Sequence, residues 1–260
     1  MAVAVDDFED DLVIVGGLVP TLLIEKPSAP FGAHVGTMDL DVGLHVAVLD
    51  DERYAKISER MRSSGLNAIV EGGKTTRQKW RFTVSESLSI DVDFLIPGTT
   101  ADIEATRASK LQDLESDFAA IITPGLRLAF ADKERRTLTD KTLRGEDASR
   151  DIYVCGPASF TVLKALAFRN RADNKDAYDL CYVLRAYGAR GPEDVAEIFR
   201  KLPDAPQKDT AIEILKADFA TKNSVGIRRA VEFERGEGAE DDALAADLVG
   251  AVALFVQRSS

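Results

Sequence analysis

The amino-acid sequence predicts a mixed α+β chain in two parts, and three observations carry that expectation. Residues 36–48 and 89–96 alternate apolar and polar side chains with a period of two, the mark of strands with one buried face. Leu12-Val-Ile-Val15 is a continuous apolar run of strand length that ends in a glycine pair. From Pro157 onward, apolar residues recur at helical spacing nearly to the end. The expected organisation is an α/β domain over residues 1–155 and a helical domain over 156–260.

Composition narrows the class. A chain of 260 residues can bury a substantial core, and 45% apolar with 30% charged residues is ordinary for a globular protein. No apolar run approaches the roughly 20 residues of a membrane-spanning helix. The N-terminal residues place no basic flank before an apolar core, so no signal peptide is expected. Cys155 and Cys181 lack metal-ligand spacing and make no disulfide framework, which suits a reducing cytoplasm. His34 and His45 leave little material for a zinc site or a histidine-based triad.

The net charge of −11 argues against a protein that coats nucleic acid non-specifically. Basic residues nevertheless cluster at Lys74, Arg77, Lys79 and Arg81, and again at Lys133, Arg135, Arg136, Lys141, Arg144 and Arg150. Such islands can hold a polyanion locally, or they are solvated strand and loop faces.

Taken in order, the Leu12 strand runs into Gly16-Gly17 and then a helix over 18–25, with Pro20 tolerated in its first turn. Missing Cβ atoms and free N–H groups at such a junction let an anion approach the backbone. A Pro- and Gly-containing loop, 26–36, delivers the chain to the next strand. There Met38, Leu40, Val42, Leu44, Val46 and Val48 share one face, and Asp39, Asp41, Gly43, His45 and Ala47 the other. Two carboxylates two residues apart project side by side and repel, which a divalent cation resolves. Residues 51–64 read as an amphipathic helix, then 66–70 and 79–84 as strands. In Ser89-Ile-Asp-Val-Asp-Phe-Leu-Ile96, Ile90, Val92 and Phe94 share one face, Asp91 and Asp93 the other. Laid beside the Asp39 strand in a sheet, it brings three or four carboxylates together, costly without a metal.

Residues 101–118 read as a helix, and 126–131, 137–143 and 151–155 as short strands. The helix from Pro157 to about Arg171 carries Phe160, Leu163, Ala167 and Phe168 as a core stripe, with Lys164 and Arg169 beside it. A break at 172–174 precedes a helix over 175–185, where Asp176 and Asp179 share a face. Helices near 192–202, 209–222, 225–235 and 239–257 complete the chain.

Gly16-Gly17, then Thr37-Met-Asp39-Leu-Asp41, then a later strand aspartate, together resemble the signature of the polymerase-β-type nucleotidyltransferases. Lys164-Ala-Leu-Ala-Phe-Arg169 followed by Lys175-Asp176-Ala-Tyr-Asp179-Leu is similar to the lysine and Arg/Lys-Asp-x-x-Asp motifs of the AbiEii/AbiGii group, which includes the MenT-like toxins of bacterial toxin–antitoxin pairs. Two departures stand out. Val35, with His34 adjacent, occupies the place two before Thr37 where the family often has a basic residue, and the gap from Gly17 to Asp39 is longer than in compact members.

The resemblance implies a polymerase-β-like sheet flanked by helices, followed by a helical bundle. It implies transfer of an NMP unit from an NTP to a hydroxyl acceptor, an RNA such as the 3′ end of tRNA, with a cognate antitoxin protein as a further partner. Two Mg²⁺ ions would bind the attacking and leaving oxygens. Asp39 and Asp41 would be shared metal ligands, and Asp93, with Asp91 as its rival, would complete one metal site and help deprotonate the acceptor. Gly16, Gly17 and Thr37 would lie against the nucleotide, and Lys164 would neutralise triphosphate charge. Asp176 would hold Lys164 or orient the acceptor, so the helical domain contributes Lys164 and Asp176 to the active-site cleft. Arg169, Lys175 and Asp179 would stand behind these groups or form surface ion pairs. An acceptor that is a small molecule or a protein, or a non-catalytic nucleotide-binding module, are the competing expectations.

Overall fold

A computed structural model describes residues 11–24, 26–27, 32–37, 39–45, 59–71, 74–86, 88–98, 111–115, 118–142 and 145–259. The chain is mixed α+β and divides into two compact units. One joins Met1–Leu18 to Thr37–Cys155; the other joins Val19–Gly36 to Gly156–Ser260. Residues 19–36 therefore leave the 1–155 domain expected for them and pack with the helices. The reason is local: His34 is gripped by three side chains of one helix, described below.

The first unit is a sheet whose strands run in the order β3-β4-β5-β2-β1-β9-β8, with β7 on β5 and β6 on β7. The strands are β1 (Leu12–Val15), β2 (Asp39–Leu44), β3 (Leu66–Glu71), β4 (Lys74–Ser85), β5 (Leu88–Pro97), β6 (Leu111–Glu115), β7 (Phe118–Thr123), β8 (Glu134–Lys141) and β9 (Asp147–Val154). β2 lies antiparallel to β1 and parallel to β5, and β4 lies antiparallel to β5 along its other edge.

Alternation sorts the side chains. Val42, Leu44, Val92, Phe94 and Ile96 bury one face with Leu12, Leu66, Trp80 and Met61, the last on helix α2, described at residues 59–63. The same alternation turns every aspartate of β2 and β5 to the opposite face. Gly43 fits there because a side chain would press on Val13 and Leu126.

Two expectations are corrected here. Leu126–Ala131 is a helix, α3, launched by Gly125 in a left-handed conformation with φ 83°. Residues 111–115 form β6, paired with β7, where a helix over 101–118 was expected; residues 101–110 lie outside the described residues, as do most of the expected 51–64 helix, Met38 and Arg144.

The second unit is helical: α1 (Val19–Leu23), α4 (Pro157–Arg171), α5 (Asn174–Ala186), α6 (Pro192–Lys201), α7 (Pro206–Asp218), α8 (Val225–Arg235) and α9 (Asp242–Arg258). Prolines open α4, α6 and α7 at positions where a missing N–H costs nothing. Phe160, Phe168, Phe219 and Phe255 fill the centre. No helix among the described residues is long and apolar enough to cross a membrane.

Candidate functional site

The candidate residues fall into two groups, one in each unit. In the first, the parallel register sets Asp39 opposite Asp91 and Asp41 opposite Asp93. Neighbouring strands lie about 4.8 Å apart, so four carboxylates share one patch of sheet. The antiparallel neighbour β4 answers them in kind, with Arg81 opposite Asp91 and Lys79 opposite Asp93. Arg81 takes both oxygens of Asp91, Nε to Oδ1 at 2.6 Å and Nη2 to Oδ2 at 2.7 Å. That hydrogen bonding, with the charges of Arg81 and Lys79, holds the Asp91 carboxyl below its usual range. Lys79 stands 3.9 Å from Asp93, a looser pair.

Asp41 is placed differently. Its carboxylate lies over Gly16, whose φ of +73° and missing Cβ leave the space; a methyl group there would overlap Asp41 Oδ2. Gly16–Leu18 form one 3₁₀ turn, in which Gly17 is buried. Thr37 accepts a hydrogen bond from the Asp39 backbone N–H at 3.2 Å and so shapes the entry to β2. His45, at the end of β2, packs on Phe130 with ring centroids 5.0 Å apart.

Oxygen-only donors on one sheet face suit a hard divalent ion such as Mg²⁺ in type. Among the described residues no three His, Cys, Asp or Glu side chains are gathered closely enough to hold one. Three of the four carboxylates are drawn to different neighbours: Asp91 to Arg81, Asp93 toward Lys79, Asp41 over Gly16.

The second group is buried in the helical unit. Lys164 sits one turn after Phe160 and one turn before Phe168, inside the apolar stripe of α4 and only 6% exposed. Its ammonium meets Asp176 Oδ1 at 2.8 Å and Asp179 Oδ2 at 2.7 Å, both from α5 and both fully buried. Arg171 clamps Asp176 from the end of α4, with Nη2 2.7 Å from Oδ1. Lys175 Nζ donates to Asp179 Oδ1 at 2.8 Å.

Burial opposes every charge in this cluster, and the partners outweigh it. Burial lowers the Lys164 pKa, but Asp179 and Asp176 raise it above the usual lysine value. Burial raises Asp179, but the His34 hydrogen bond and the charges of Lys164 and Lys175 bring it down to about 2. Asp176 is likewise held low, against burial, by Arg171 and Lys164.

His34 and Arg171 are the members that the sequence did not single out. The His34 ring is 1% exposed, stacked on Tyr178 at 5.2 Å and edge-on to Tyr182 at 4.9 Å. Its Nε2 lies 2.8 Å from Asp179 Oδ1 and its Nδ1 3.3 Å from Thr21 Oγ1. An ionised carboxylate only accepts, so Nε2 carries a proton. Tyr182 and Lys175 donate to the carbonyls of Gly32 and Val35, and Val35 N–H donates to Tyr178. Lys175, Tyr178, Asp179 and Tyr182 recur at one helix face, and that spacing was the available signal for a segment docked on it.

Asp179 is thus a buried anion shared by three donors, not a surface partner. Arg169, by contrast, is exposed and pairs with Asp218 of α7 at 2.9 Å. The basic islands are also largely engaged: Arg135 with Asp151, Arg136 with Glu134, Lys141 with Asp147, and Lys133 over the Tyr153 ring; the side chains of Lys74 and Arg77 lie outside the description. Cys155 and Cys181 are free and buried, and burial pushes the Cys181 thiol up to about 12.

No protein-family profile matches the chain, and no curated protein matches it. Among solved structures it is similar to one described as an antigenic nucleotidyltransferase-like protein from Paracoccidioides brasiliensis, with a TM-score of 0.41 and 13% identity over 97% of this chain and 90% of that one.

Proposed function

We propose that the chain is a Mg²⁺-dependent nucleotidyltransferase that moves NMP from an NTP to a hydroxyl acceptor and releases pyrophosphate. The observation that carries the reading is the parallel pairing of β2 with β5, which sets Asp39 and Asp41 beside Asp91 and Asp93 on one sheet face. A sheet gains nothing from like charges on adjacent strands, so a role in binding cations accounts for them better than a role in folding does.

In this reading Asp39, Asp41 and Asp93 would hold the metal ions once their side chains are drawn together around them, and the ions would supply charge neutralisation for the leaving pyrophosphate and the attacking oxygen. The pairing of both Asp91 oxygens with Arg81 favours Asp93 over Asp91 as the third ligand. Asp93 is left to accept the acceptor's hydroxyl proton. Gly16, having no Cβ, leaves the space that the Asp41 carboxylate occupies. The motif resemblance assigns phosphate contacts to Lys164, Lys175 and Arg169, and Asp176 holds the Lys164 ammonium.

The favoured acceptor is an RNA, such as the 3′ end of tRNA, in a toxin of a toxin–antitoxin pair; this rests on the motif resemblance. A small-molecule or protein acceptor is the second reading, favoured by the engagement of the basic islands with carboxylates and by the net charge of −11. Incubation with Mg²⁺, each α-labelled NTP and total tRNA tests both. Label on RNA supports the first reading; label on small molecules or on the protein supports the second. Growth arrest on expression, relieved by Asp41→Ala, would mark a toxin.

A further inference from the structure

Lys164 poses a problem for the proposed function. An ammonium held between two ionised carboxylates has little charge left to offer a phosphate. What sets that balance is the competition for Asp179, which is shared by Lys164, Lys175 and His34. With His34 neutral, three cations, Lys164, Arg171 and Lys175, stand against two carboxylates, Asp176 and Asp179. A proton on His34 turns its hydrogen bond to Asp179 into an ion pair 2.8 Å long.

We infer that His34 is a positioning residue for Lys164, acting through Asp179. When His34 takes up a proton, it draws the Asp179 charge to itself and frees Lys164 to bind a polyphosphate more tightly. The inference rests on the reading of Lys164 as a phosphate ligand.

The neighbourhood restricts the effect to one group. Among the described residues, the groups facing His34 are Thr21 from α1 and Lys175, Tyr178, Asp179 and Tyr182 from α5, with Lys164 of α4 behind Asp179. Phe233 of α8 lies against Tyr178, and the charge of Glu234 acts on the same ring. Of these types only histidine ordinarily changes charge between about pH 5 and 8. Thr21 accommodates both states, since its hydroxyl donates to Nδ1 of the neutral ring and accepts from the cation.

The test is calorimetric binding of inorganic tripolyphosphate in EDTA, from pH 8 to pH 6, to the full chain, His34→Gln and Lys164→Met. Glutamine keeps a neutral donor but cannot charge, and the ligand's own titration is common to all three proteins. The wild type should tighten about fivefold more than His34→Gln over that range, on the order of the effect of one unit charge at close range in water. Equal pH slopes, with Lys164→Met still weakened, would overturn the inference and leave Lys164 a phosphate ligand. Lys164→Met binding as tightly as wild type, or no binding by any of the three, removes Lys164 from phosphate recognition and the inference with it. If His34→Gln fails to fold, NMR titration of the His34 ring in a His45→Gln background replaces it. By linkage, tripolyphosphate must raise the His34 midpoint, and an unchanged midpoint overturns the inference.

Discussion

Asp41 and Asp93 stand opposite one another on parallel strands, their side chains on the same sheet face, with Lys79 of the next strand 3.9 Å from Asp93. Like charges in that position cost the sheet stability, and exposed pairs with Lys79 and Arg81 return about 1 kcal/mol or less each. The arrangement is therefore maintained at a cost.

It follows that Asp41→Asn should abolish transfer while leaving the fold intact. Asparagine keeps the shape of the side chain and removes one like charge, so the melting temperature should move by no more than about 3 °C. Differential scanning calorimetry beside the transfer assay checks this; a protein that unfolds instead would make the pair structural.

Gly16 gives a second expectation. Gly16→Ala places a methyl group on a residue with φ +73° and against the Asp41 carboxylate. Strain of about 1–3 kcal/mol should result, measured by urea denaturation. Asp41→Ala in the same chain should recover part of it, because it removes the atoms the methyl meets.

The buried cluster predicts a larger effect. Asp179→Ala leaves Lys164 with a single carboxylate and takes the partner from His34 and Lys175. Stripping one partner from a buried ion network costs about 3–5 kcal/mol. Arg169→Ala, which removes an exposed pair with Asp218, should cost under about 1 kcal/mol in the same assay.

Acid stability should report the same carboxylate. The Asp179 pKa lies near 2 in the folded chain against an ordinary value of 3.8, so the unfolded chain binds more protons between those limits. Its contribution, roughly 2 kcal/mol, is present above about pH 4 and is lost as pH falls toward 2. Asp179→Asn should flatten that part of the profile; a profile unchanged in shape would contradict the assignment.

Legibility in the sequence followed the range of the interaction. The two-residue alternation of Leu40 to Leu44 and Ile90 to Phe94 was enough to place the strands and their acidic face. The helical period did the same for α4 through α9. Leu126–Ala131 misled because six residues are too few to show a period, and its first three alternate like a strand; the left-handed Gly125 decides it. Leu111–Glu115 misled in the other direction, with Leu111 and Leu114 at helical spacing and the outcome set by pairing with β7. His34 was noticed only as the neighbour of Val35, and its role stayed hidden because its partner lies 145 residues away. Lys164 was expected beside the core stripe of its helix, but it lies at the spacing of Phe160 and Phe168 and is buried, and a buried lysine needs the two carboxylates that follow it.

The central claim is that the Asp39–Asp41–Asp93 face transfers a nucleotidyl group. Parallel reactions with α-labelled and γ-labelled NTP, run with Mg²⁺ on wild type and Asp41→Asn, test it most directly. Transfer predicts α-label on an acceptor and γ-label in free pyrophosphate, both lost in Asp41→Asn. Label from the γ position on the acceptor, or α-label transfer that survives Asp41→Asn, would contradict the account.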